Sequence, residues 1–462
     1  MATPESNSTE NNSASSKEQS MRKVAMTSLA GTSIEWYDFF IYGTAAALIF
    51  PKAFFPEDMP DMVSLIAAFS TFAVGFFARP IGGIVFGHFG DVAGRKVALV
   101  GALMMMGVAT TLIGLLPTYS SIGIAAPVLL TLLRFVQGLA VGGQWGGAML
   151  LVTENAPPEK RGFYGAFAQA GAPLGLVLAN LVFLAVSGSL SDEAFFDWGW
   201  RIPFILSIVL IGLSLYVQLT LEDTAAFKEL KKAQLDAARK LAEEFPGEVV
   251  IEKPKVSPVL EVIRLHPREI VLAAGAFLAV QVTFYIMVAF VVAYGSNPVG
   301  LGLPREFMLT AVLISSLVQI PVLFLASAYS DRHGRRGIYM LGAILGAVWG
   351  FALFPLIDTR EFIWIVVALT GGQVFVGLMY GPQAAFLSEL FSTHVRYSGA
   401  SLGYQLGAIF GGALAPIIAT ALWAAFGTIY VSIYIAIASM LTLVSVWLLT
   451  ETSGRNLDEI GQ

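Results

Sequence analysis

Residues 87–96 read GHFGDVAGRK, and residues 327–336 read SAYSDRHGRR. Each stretch places an Asp three residues before a Gly-Arg pair, and each directly follows a long apolar run. A second pattern is duplicated as well, because Glu154 precedes Arg161 by seven residues and Glu389 precedes Arg396 by seven. Two motifs that recur in the same order predict that the chain contains two structurally parallel halves.

The composition indicates a membrane protein. Hydrophobic residues make up 56% of the 462 residues, charged residues make up only 13%, and the mean hydropathy is +0.73. A soluble domain carries about 25% charged residues, so a soluble globule of this composition would have too few charges for its surface. The chain has no Cys, which excludes disulfides and thiol catalysis. No cofactor or metal site is expected.

Apolar runs set the predicted fold. A helix needs about 20 apolar residues to cross a bilayer, and about twelve such runs lie six on each side of a charged segment. We predict an all-α membrane protein whose two six-helix bundles are related by an axis along the membrane normal. Its predicted parts are a disordered tail at 1–22, a bundle at 23–220 whose fourth span covers 122–152, a cytoplasmic central loop at 221–268, a second bundle at 269–450 and a tail at 451–462.

The basic residues predict the orientation. If the N-terminus is cytoplasmic, the short inner loops hold eight Lys and Arg residues and the outer loops hold four. An excess of this sign is typical of cytoplasmic loops. We therefore expect a multi-pass protein of the inner or plasma membrane with both termini in the cytoplasm.

Four charged residues lie deep within the apolar runs, namely Glu35, Asp38, Arg79 and Arg134. At about 1.5 Å per helical residue, Glu35, Arg79 and Arg134 each lie roughly 18 Å from an end of their runs. That depth is near the middle of a hydrocarbon core of about 30 Å. A charge placed there costs at least about 2.5–3.5 kcal/mol, so these side chains are expected to face the bundle interior, a watery cavity or one another.

The first span carries candidate proton-binding carboxylates. Glu35, Asp38 and Tyr42 are spaced i, i+3, i+7 and share a helix face that can point at a central cavity. Desolvation and a nearby arginine shift a carboxyl pKa in opposite directions, so a carboxylate whose arginine neighbour comes and goes can switch protonation with conformation. Asp38 is the first candidate and Glu35 the second. The alternative is a fixed ion pair with Arg79 or Arg134 that only holds helices together.

The two deep arginines suggest an anionic ligand. A buried guanidinium can hold a carboxylate through two parallel hydrogen bonds, so we predict that Arg79 or Arg134 binds an anionic group of a substrate. Polar residues deep in other spans are expected to complete the site, although each alone is more often an interhelical hydrogen-bond donor. The selected binding residues are Tyr42, Gln137, Tyr285 and Gln373, from a wider set that also includes Gln144, Trp145, Gln169, Asn180, Gln281, Tyr380, Gln383, Tyr404 and Gln405.

The loop at 87–96 resembles the signature of the major facilitator superfamily, and the resemblance covers about 21–460. Four stretches are similar more narrowly to the metabolite:H+ symporter family: EWYDFFIYG at 35–43, FFARPIGGIVFGHFGDVAGRK at 76–96, RFVQGLAVGGQWGGA at 134–148 and ENAPPEKRGFYGAFAQAGAPLG at 154–175. Members of that family carry proline and betaine, shikimate, 2-oxoglutarate, citrate and related small polar metabolites. Gln144 is a departure, since the family often has Glu there.

The resemblance implies a gating role for the repeated loop. In the superfamily this motif ties the two halves together on the cytoplasmic side in the outward-facing state. Each Glu of the second duplicated pattern is expected to accompany the Arg seven residues after it in the same charge network. The alternative is that the basic residues only fix the topology. The implied gating residues are Asp91, Gly94, Arg95, Glu154, Arg161, Asp331, Arg335, Glu389 and Arg396.

Together these features predict a secondary transporter that works by alternating access. The predicted activity is proton symport of a small polar metabolite, with a shikimate-like or di- or tricarboxylate favoured by the two arginines. The alternatives are uptake of a zwitterionic osmolyte such as betaine or proline, and exchange or export of organic compounds. An enzyme is not expected, because GASLG at 399–403 matches G-x-S-x-G only within a helical span. The expected partners are substrate, protons and the lipid bilayer, without nucleic acid, and the protein is expected to be monomeric.

Overall fold

The computed structural model describes residues 4–93, 95–142, 145–220, 258–391 and 396–454, and this part of the chain is almost entirely helical. The α-helices of the N-terminal half are α1 (Pro4–Leu48), α2 (Phe50–Ala53), α3 (Asp61–Ala93), α4 (Arg95–Leu115), α5 (Tyr119–Ile122), α6 (Ala125–Gly142), α7 (Trp145–Asn155), α8 (Arg161–Ser189), α9 (Asp192–Asp197) and α10 (Ile202–Thr220). Those of the C-terminal half are α11 (Pro258–Leu265), α12 (Pro267–Tyr285), α13 (Val291–Ser296), α14 (Arg305–His333), α15 (Arg335–Ile357), α16 (Phe362–Ser388), α17 (Arg396–Gly407), α18 (Ala415–Phe426) and α19 (Thr428–Leu448).

The helices are long enough to cross a membrane many times. Nine segments of the described residues meet the length and composition of a membrane span. Two shorter apolar helices, Val100–Leu115 and Gly199–Gly212, lie in α4 and α10. With these and the apolar second half of α1, the described residues offer twelve apolar segments, six in each half. The prediction of an all-α membrane protein with about twelve spans is confirmed.

Two predicted boundaries differ from the structure. Helix α1 continues back to Pro4, where the polar composition predicts a disordered tail over 1–22. Extending an existing helix adds one hydrogen bond for each residue that is fixed, so a polar segment can continue a helix that is already formed. The run predicted at 122–152 starts later, because Ile122 ends α5 and α6 begins at Ala125. Gly123 separates the two helices with φ 59°, a left-handed conformation that favours glycine.

Two spans of the C-terminal half contain a π-helical segment. Ile286–Phe290 lies between α12 and α13, and Ala408–Ala413 lies between α17 and α18. Such segments are rare and occur frequently at functional sites. Tyr285 directly precedes the first segment, and Gln405 lies three residues before the second, so both polar side chains leave their helices close to an irregularity.

The turn of the repeated motif requires glycine in the C-terminal half. Gly334 joins α14 to α15 with φ 94° and ψ 157°, a conformation that is essentially restricted to glycine. Asp331 therefore lies in the last turn of one helix and Arg335 begins the next, and their side chains meet at 2.6 Å across the turn. The Asp-x-x-Gly-Arg spacing follows from this local geometry.

The two halves pack along an interface that runs through the middle of the molecule. Helix α8 packs against α14 and α16, while α3 packs against the second π-helical segment and α18. Within the N-terminal half, α3 crosses α6 so closely that a Cβ on Gly142 would overlap the carbonyl oxygen of Arg79. We name the two ends of this interface the Glu389 end and the Arg305 end, after the charged residues that cross it there.

Candidate functional site

Arg79 lies in α3 and faces the C-terminal half. Its side chain is 1% exposed, and its guanidinium carbon lies 4.4 Å from the ring centroid of Phe76 and 4.5 Å from that of Phe39. The hydroxyls of Tyr285 and Tyr404 lie within hydrogen-bonding reach from the other half. Its Nε and Nη2 have no hydrogen-bond partner among the described residues. A buried cation therefore keeps free donors at the interface.

Arg134 is equally buried but is held differently. Its guanidinium carbon lies 4.2 Å from the ring centroids of both Phe39 and Tyr42. Its Nη1 donates to Oε1 of Gln137 at 3.1 Å, and Nε2 of Gln137 donates to Oγ1 of Thr110 at 2.6 Å. Nη2 has no partner in the part of the chain that the structure describes. Arg134 is thus supported from within the N-terminal half, and Gln137 is its support.

The two buried carboxyl groups are not paired with the arginines. Neither Glu35 nor Asp38 forms an ion pair with Arg79 or Arg134 in the described residues. Asp38 is completely buried beside the hydroxyl of Ser207 in α10, and neither of its oxygens has a hydrogen bond of good geometry. The alternative interpretation from the sequence, a fixed ion pair between these carboxyl groups and Arg79 or Arg134, is therefore absent from this conformation of the described residues.

The spacing predicts that Glu35, Asp38 and Tyr42 share a helix face that points at one cavity. In the structure these three side chains have different surroundings. Glu35 lines a cavity, Asp38 faces Ser207, and Tyr42 donates to Oγ1 of Thr71 at 2.8 Å. Three residues turn a helix through about 300°, so Asp38 lies about 60° away from Glu35 around the axis. That angle is enough to turn its carboxyl group toward a different neighbour.

A small cavity lies between the two halves, beside the free edge of Arg79. It brings one guanidinium and one carboxyl group together with aromatic rings, a phenol and an amide from the opposite half. A guanidinium in such surroundings can bind a carboxylate through two parallel hydrogen bonds. The lining residues are Glu35, Trp36, Phe39, Arg79, Val141, Tyr404 and Gln405.

A second small cavity is lined by Tyr285, and its wall also includes Phe40, Phe72 and Val288. Tyr285 is therefore a wall residue of this cavity, as a binding role requires. Gln373 lines neither cavity. It is buried in α16, and both atoms of its amide group lack a partner in the described residues.

Sequence reasoning underrated four residues of the first cavity. Tyr404 and Gln405 belong to the wider polar set but are not among the selected residues. Trp36 and Phe39 are not considered, although they flank the carboxyl groups in EWYDFF. The available signal is that aromatic faces accompany buried guanidinium groups, which they attract through their ring quadrupoles.

At the Glu389 end, buried charges join the two halves. Nη1 of Arg161, from the N-terminal half, lies 3.3 Å from Oε1 of Glu389, and Nη2 of Arg335 lies 3.2 Å from the same oxygen. Asp331 accepts two hydrogen bonds of 2.8 Å from backbone N–H groups at the start of α8. These contacts cross the interface, which supports the predicted network in this half of the repeat.

Within this charge network, each Glu pairs with the Arg of the opposite half. Glu389 pairs with Arg161, and Oε1 of Glu154 lies 3.6 Å from Nη1 of Arg396. Arg161 begins α8, the helix that follows Glu154, and Arg396 begins α17, the helix that follows Glu389. Both arginine side chains point to the interface, where the Glu of the other half lies. Gly94 lies outside the described residues, as do the side chains of Asp91 and Arg95.

The segment after α19 adds to the Glu389 end, which the sequence did not indicate. Oγ1 of Thr452 donates to Oε2 of Glu389 at 2.8 Å. Glu451 accepts hydrogen bonds from the backbone N–H groups of Arg335 at 2.9 Å and Arg336 at 3.0 Å. Burial raises the pKa of Glu451, but these and two further backbone N–H groups outweigh burial and lower it below its ordinary value.

Known proteins similar to this chain are transporters. It is 43% identical over 433 residues to the inner membrane metabolite transport protein YhjE of Escherichia coli K12, covering 92% of this chain and 93% of that protein. It is 39% identical over 394 residues to the shikimate transporter of the same strain, covering 85% and 86%. It is 33% identical over 428 residues to a proline/betaine transporter of Salmonella typhimurium, covering 92% and 83%.

The fold is also that of a known transporter. The xylose transporter XylE from E. coli, in a partially occluded inward open conformation, superimposes with a TM-score of 0.72 at 17% identity over 95% of this chain and 99% of that chain. The model of the family described as sugar (and other) transporters matches residues 23–462. The chain therefore belongs to the sugar (and other) transporter family, within the major facilitator superfamily, and is a multi-pass membrane transporter and not an enzyme.

Proposed function

We propose that this transporter is a proton-coupled symporter of a small organic carboxylate. The bundles at 23–220 and 269–450 rock against each other around the cavity beside Arg79, joined by the central loop at 221–268. The cavity is built within a single chain, which supports a monomeric working unit. The relatives named for shikimate and for proline and betaine support a small polar substrate that carries a carboxylate.

We propose that the Glu389 end faces the cytoplasm of a bacterial inner membrane. Both tails, 1–22 and 451–462, would then lie in the cytoplasm, because the number of spans is even. The basic residues support this orientation, since cytoplasmic loops carry an excess of Lys and Arg. Those at or near the Glu389 end are Lys160, Arg161, Arg332, Arg335, Arg336 and Arg396.

The observation that carries the proposal is the state of Arg79. Its guanidinium is 1% exposed, lines a cavity and has two nitrogens without a hydrogen-bond partner among the described residues. Burying a charge without a partner is costly, and a substrate carboxylate would remove that cost through two parallel hydrogen bonds. Arg134 is less suited to this role, because Gln137 already accepts from it. Tyr285 and Tyr404 would close over the bound anion from the C-terminal half.

Proton coupling is assigned to the two carboxyl groups of α1. Asp38 remains the first candidate, because its carboxyl group is completely buried and has no hydrogen-bonded partner in the part of the chain that the structure describes. Such a carboxylate is costly unless it takes up a proton. Glu35 is the second and lines the cavity itself. Protonation of either group removes a negative charge near Arg79 and so favours binding of an anion. By linkage, anion binding favours protonation by the same factor.

A zwitterion such as betaine is the second candidate substrate. The residues that line the first cavity favour it. Glu35 and Arg79 line the same space together with the rings of Trp36 and Phe39. Aromatic faces next to a carboxylate attract quaternary ammonium groups, while Arg79 would bind the carboxylate of the same molecule. In that case Glu35 would bind substrate, and Asp38 alone would bind the coupling proton.

Uptake by proteoliposomes tests the proposal. A labelled panel of shikimate, 2-oxoglutarate, citrate, an aromatic acid, proline and glycine betaine is offered with and without an inward proton gradient. Accumulation of an organic acid only with the gradient is the expected result. Accumulation of betaine or proline alone would favour the second candidate. Exchange with preloaded substrate, without accumulation of any compound, would contradict symport and identify an exchanger.

A further inference from the structure

Arg305 connects the two halves at the end opposite Glu389. It is the first residue of α14 and reaches onto α9 of the N-terminal half. Its Nη2 lies 2.7 Å from Oδ1 of Asp192, and its guanidinium carbon lies 4.1 Å from the ring centroid of Phe195 and 5.2 Å from that of Phe196. Among the described residues, this is the only charged side chain that bridges the halves at that end.

We propose that Arg305 is a second gating residue and that its stacking on Phe195 and Phe196, rather than its ion pair with Asp192, holds the Arg305 end closed. None of the motifs of the sequence points to this contact. It differs in kind from the network at the Glu389 end, where buried carboxylates and arginines are paired.

Burial decides between the two contacts of Arg305. Its side chain is only 10% exposed, whereas that of Asp192 is 86% exposed. An ion pair whose acid lies in water is screened and contributes little. A guanidinium that lies over aromatic rings and is withdrawn from water is bound more strongly. Oε1 of Glu306 also lies 2.9 Å from Nε of Arg305, so the guanidinium keeps a carboxylate neighbour from its own half without Asp192.

The rings are anchored to the N-terminal half. Phe195 is 1% exposed and packs in the hydrophobic core, while Phe196 also lies 5.5 Å beneath the ammonium group of Lys52 from α2. The stack must therefore come apart whenever the two halves separate at this end. Because a flat guanidinium is needed to cover a ring face, Lys is not an equivalent residue at this position.

The test is a distance measurement across the Arg305 end in protein without substrate. The chain contains no Cys, so Ser189→Cys and Val299→Cys add one spin label to an exposed site in each half without the removal of a native thiol. Pulsed electron paramagnetic resonance in liposomes gives the fraction of molecules with the longer, open distance. The variants are Arg305→Lys, Phe196→Leu and Asp192→Asn. Arg360→Lys is the matched control, as an exposed arginine of the same half and the same end.

We expect Arg305→Lys and Phe196→Leu to raise the ratio of open to closed molecules by about fivefold. Asp192→Asn should change that ratio by less than about twofold, and Arg360→Lys should leave it unchanged. An increase with Asp192→Asn that equals or exceeds that of Arg305→Lys would overturn the proposal in favour of the ion pair. An unchanged ratio in both Arg305→Lys and Phe196→Leu would overturn it altogether. No result depends on substrate identity or proton coupling, so this test is independent of the proposed function.

Discussion

Buried charged residues occur in both halves, but they differ in whether an oppositely charged residue lies beside them. In the N-terminal half, Arg79 and Asp38 are fully buried and have no oppositely charged partner among the described residues. In the C-terminal half, Arg335 and Glu389 are buried to the same degree at one end of the interface, and both are paired. Burial alone therefore does not distinguish the two groups, whereas pairing does.

The difference separates binding from gating. In a buried ion pair, the attraction between the charges roughly offsets the free energy lost by desolvating them, while removal of one partner destabilises the protein strongly. Such a pair can therefore hold a contact that forms in one conformation and separates in another. A buried unpaired charge has no such compensation within the protein and marks a place for a ligand or a proton. On this view the N-terminal half carries the chemistry of transport, while the C-terminal half supplies the cover and, together with Arg161, the lock.

The largest effect is expected where an unpaired charge is removed from the cavity. Arg79→Lys keeps a positive charge but loses the planar fork, so affinity for the transported carboxylate should fall by about 100-fold. Binding of an uncharged analogue of the same shape should fall much less. Substrate binding to purified protein, followed by calorimetry, measures both affinities.

Arg134→Lys is the matched control for that change. Since Arg134 is held by Gln137 within its own half, its replacement should weaken binding of the acid and the uncharged analogue by the same small factor. Equal losses for both ligands in Arg79→Lys would contradict the ligand role of Arg79 and return it to the class of structural arginines.

Replacement of Asp38, the second unpaired charge, should affect proton coupling rather than substrate binding. Asp38→Asn replaces a carboxyl group by an amide of the same shape that cannot exchange a proton. Accumulation driven by a proton gradient should fall to an internal-to-external ratio of about 1, while exchange of labelled for unlabelled substrate continues. Glu35→Gln provides the comparison. Full accumulation in Asp38→Asn together with its loss in Glu35→Gln would transfer the coupling role to Glu35.

The fold could be predicted from the sequence because its causes are local. Each apolar run is long enough to cross the membrane, and the duplicated loop marks where the second half repeats the first. The four midplane charges are found the same way, by counting residues from the ends of the runs. The π-helical segments at Ile286–Phe290 and Ala408–Ala413 have no such local signature and depend on packing.

The site could be predicted only in part. The contacts of a side chain depend on its direction around the helix axis as well as on the depth of the residue in its apolar run. The i, i+3 spacing puts Glu35 and Asp38 on one side of a helix, yet about 60° of rotation leaves one at the cavity and the other against Ser207. The exchange of Glu389 and Arg161 between halves likewise requires the interface. Proximity in sequence groups each Glu with the Arg seven positions on, and only the interface shows which Arg is its partner.

A paired charge at the Glu389 end should change turnover more than affinity. Asp331→Asn removes the ion pair with Arg335 and weakens the acceptor for two N–H groups of α8. This end should then close less often, and the maximal transport rate should fall by about tenfold while affinity stays within about twofold. Asp358→Asn is the control, because Asp358 accepts from Tyr294 within one half. An unchanged maximal rate in Asp331→Asn would argue against the gate.

The smallest expected effect belongs to Glu451, which locks the C-terminal segment onto the same end through backbone N–H groups. Its pKa is lowered, so its stabilising contribution is complete above the ordinary glutamic acid pKa and is lost as pH falls through the lowered value. Glu451→Gln should therefore lower Tm by about 1–2 °C at pH 7, and the difference from the unaltered protein should vanish in acid. Thermal unfolding monitored by circular dichroism between pH 7 and pH ~3 measures this, with the exposed Glu361→Gln as control. A difference that grows toward low pH would mean that Glu451 is bound in its protonated form, and the lock would then lie in Thr452 and Glu389 instead.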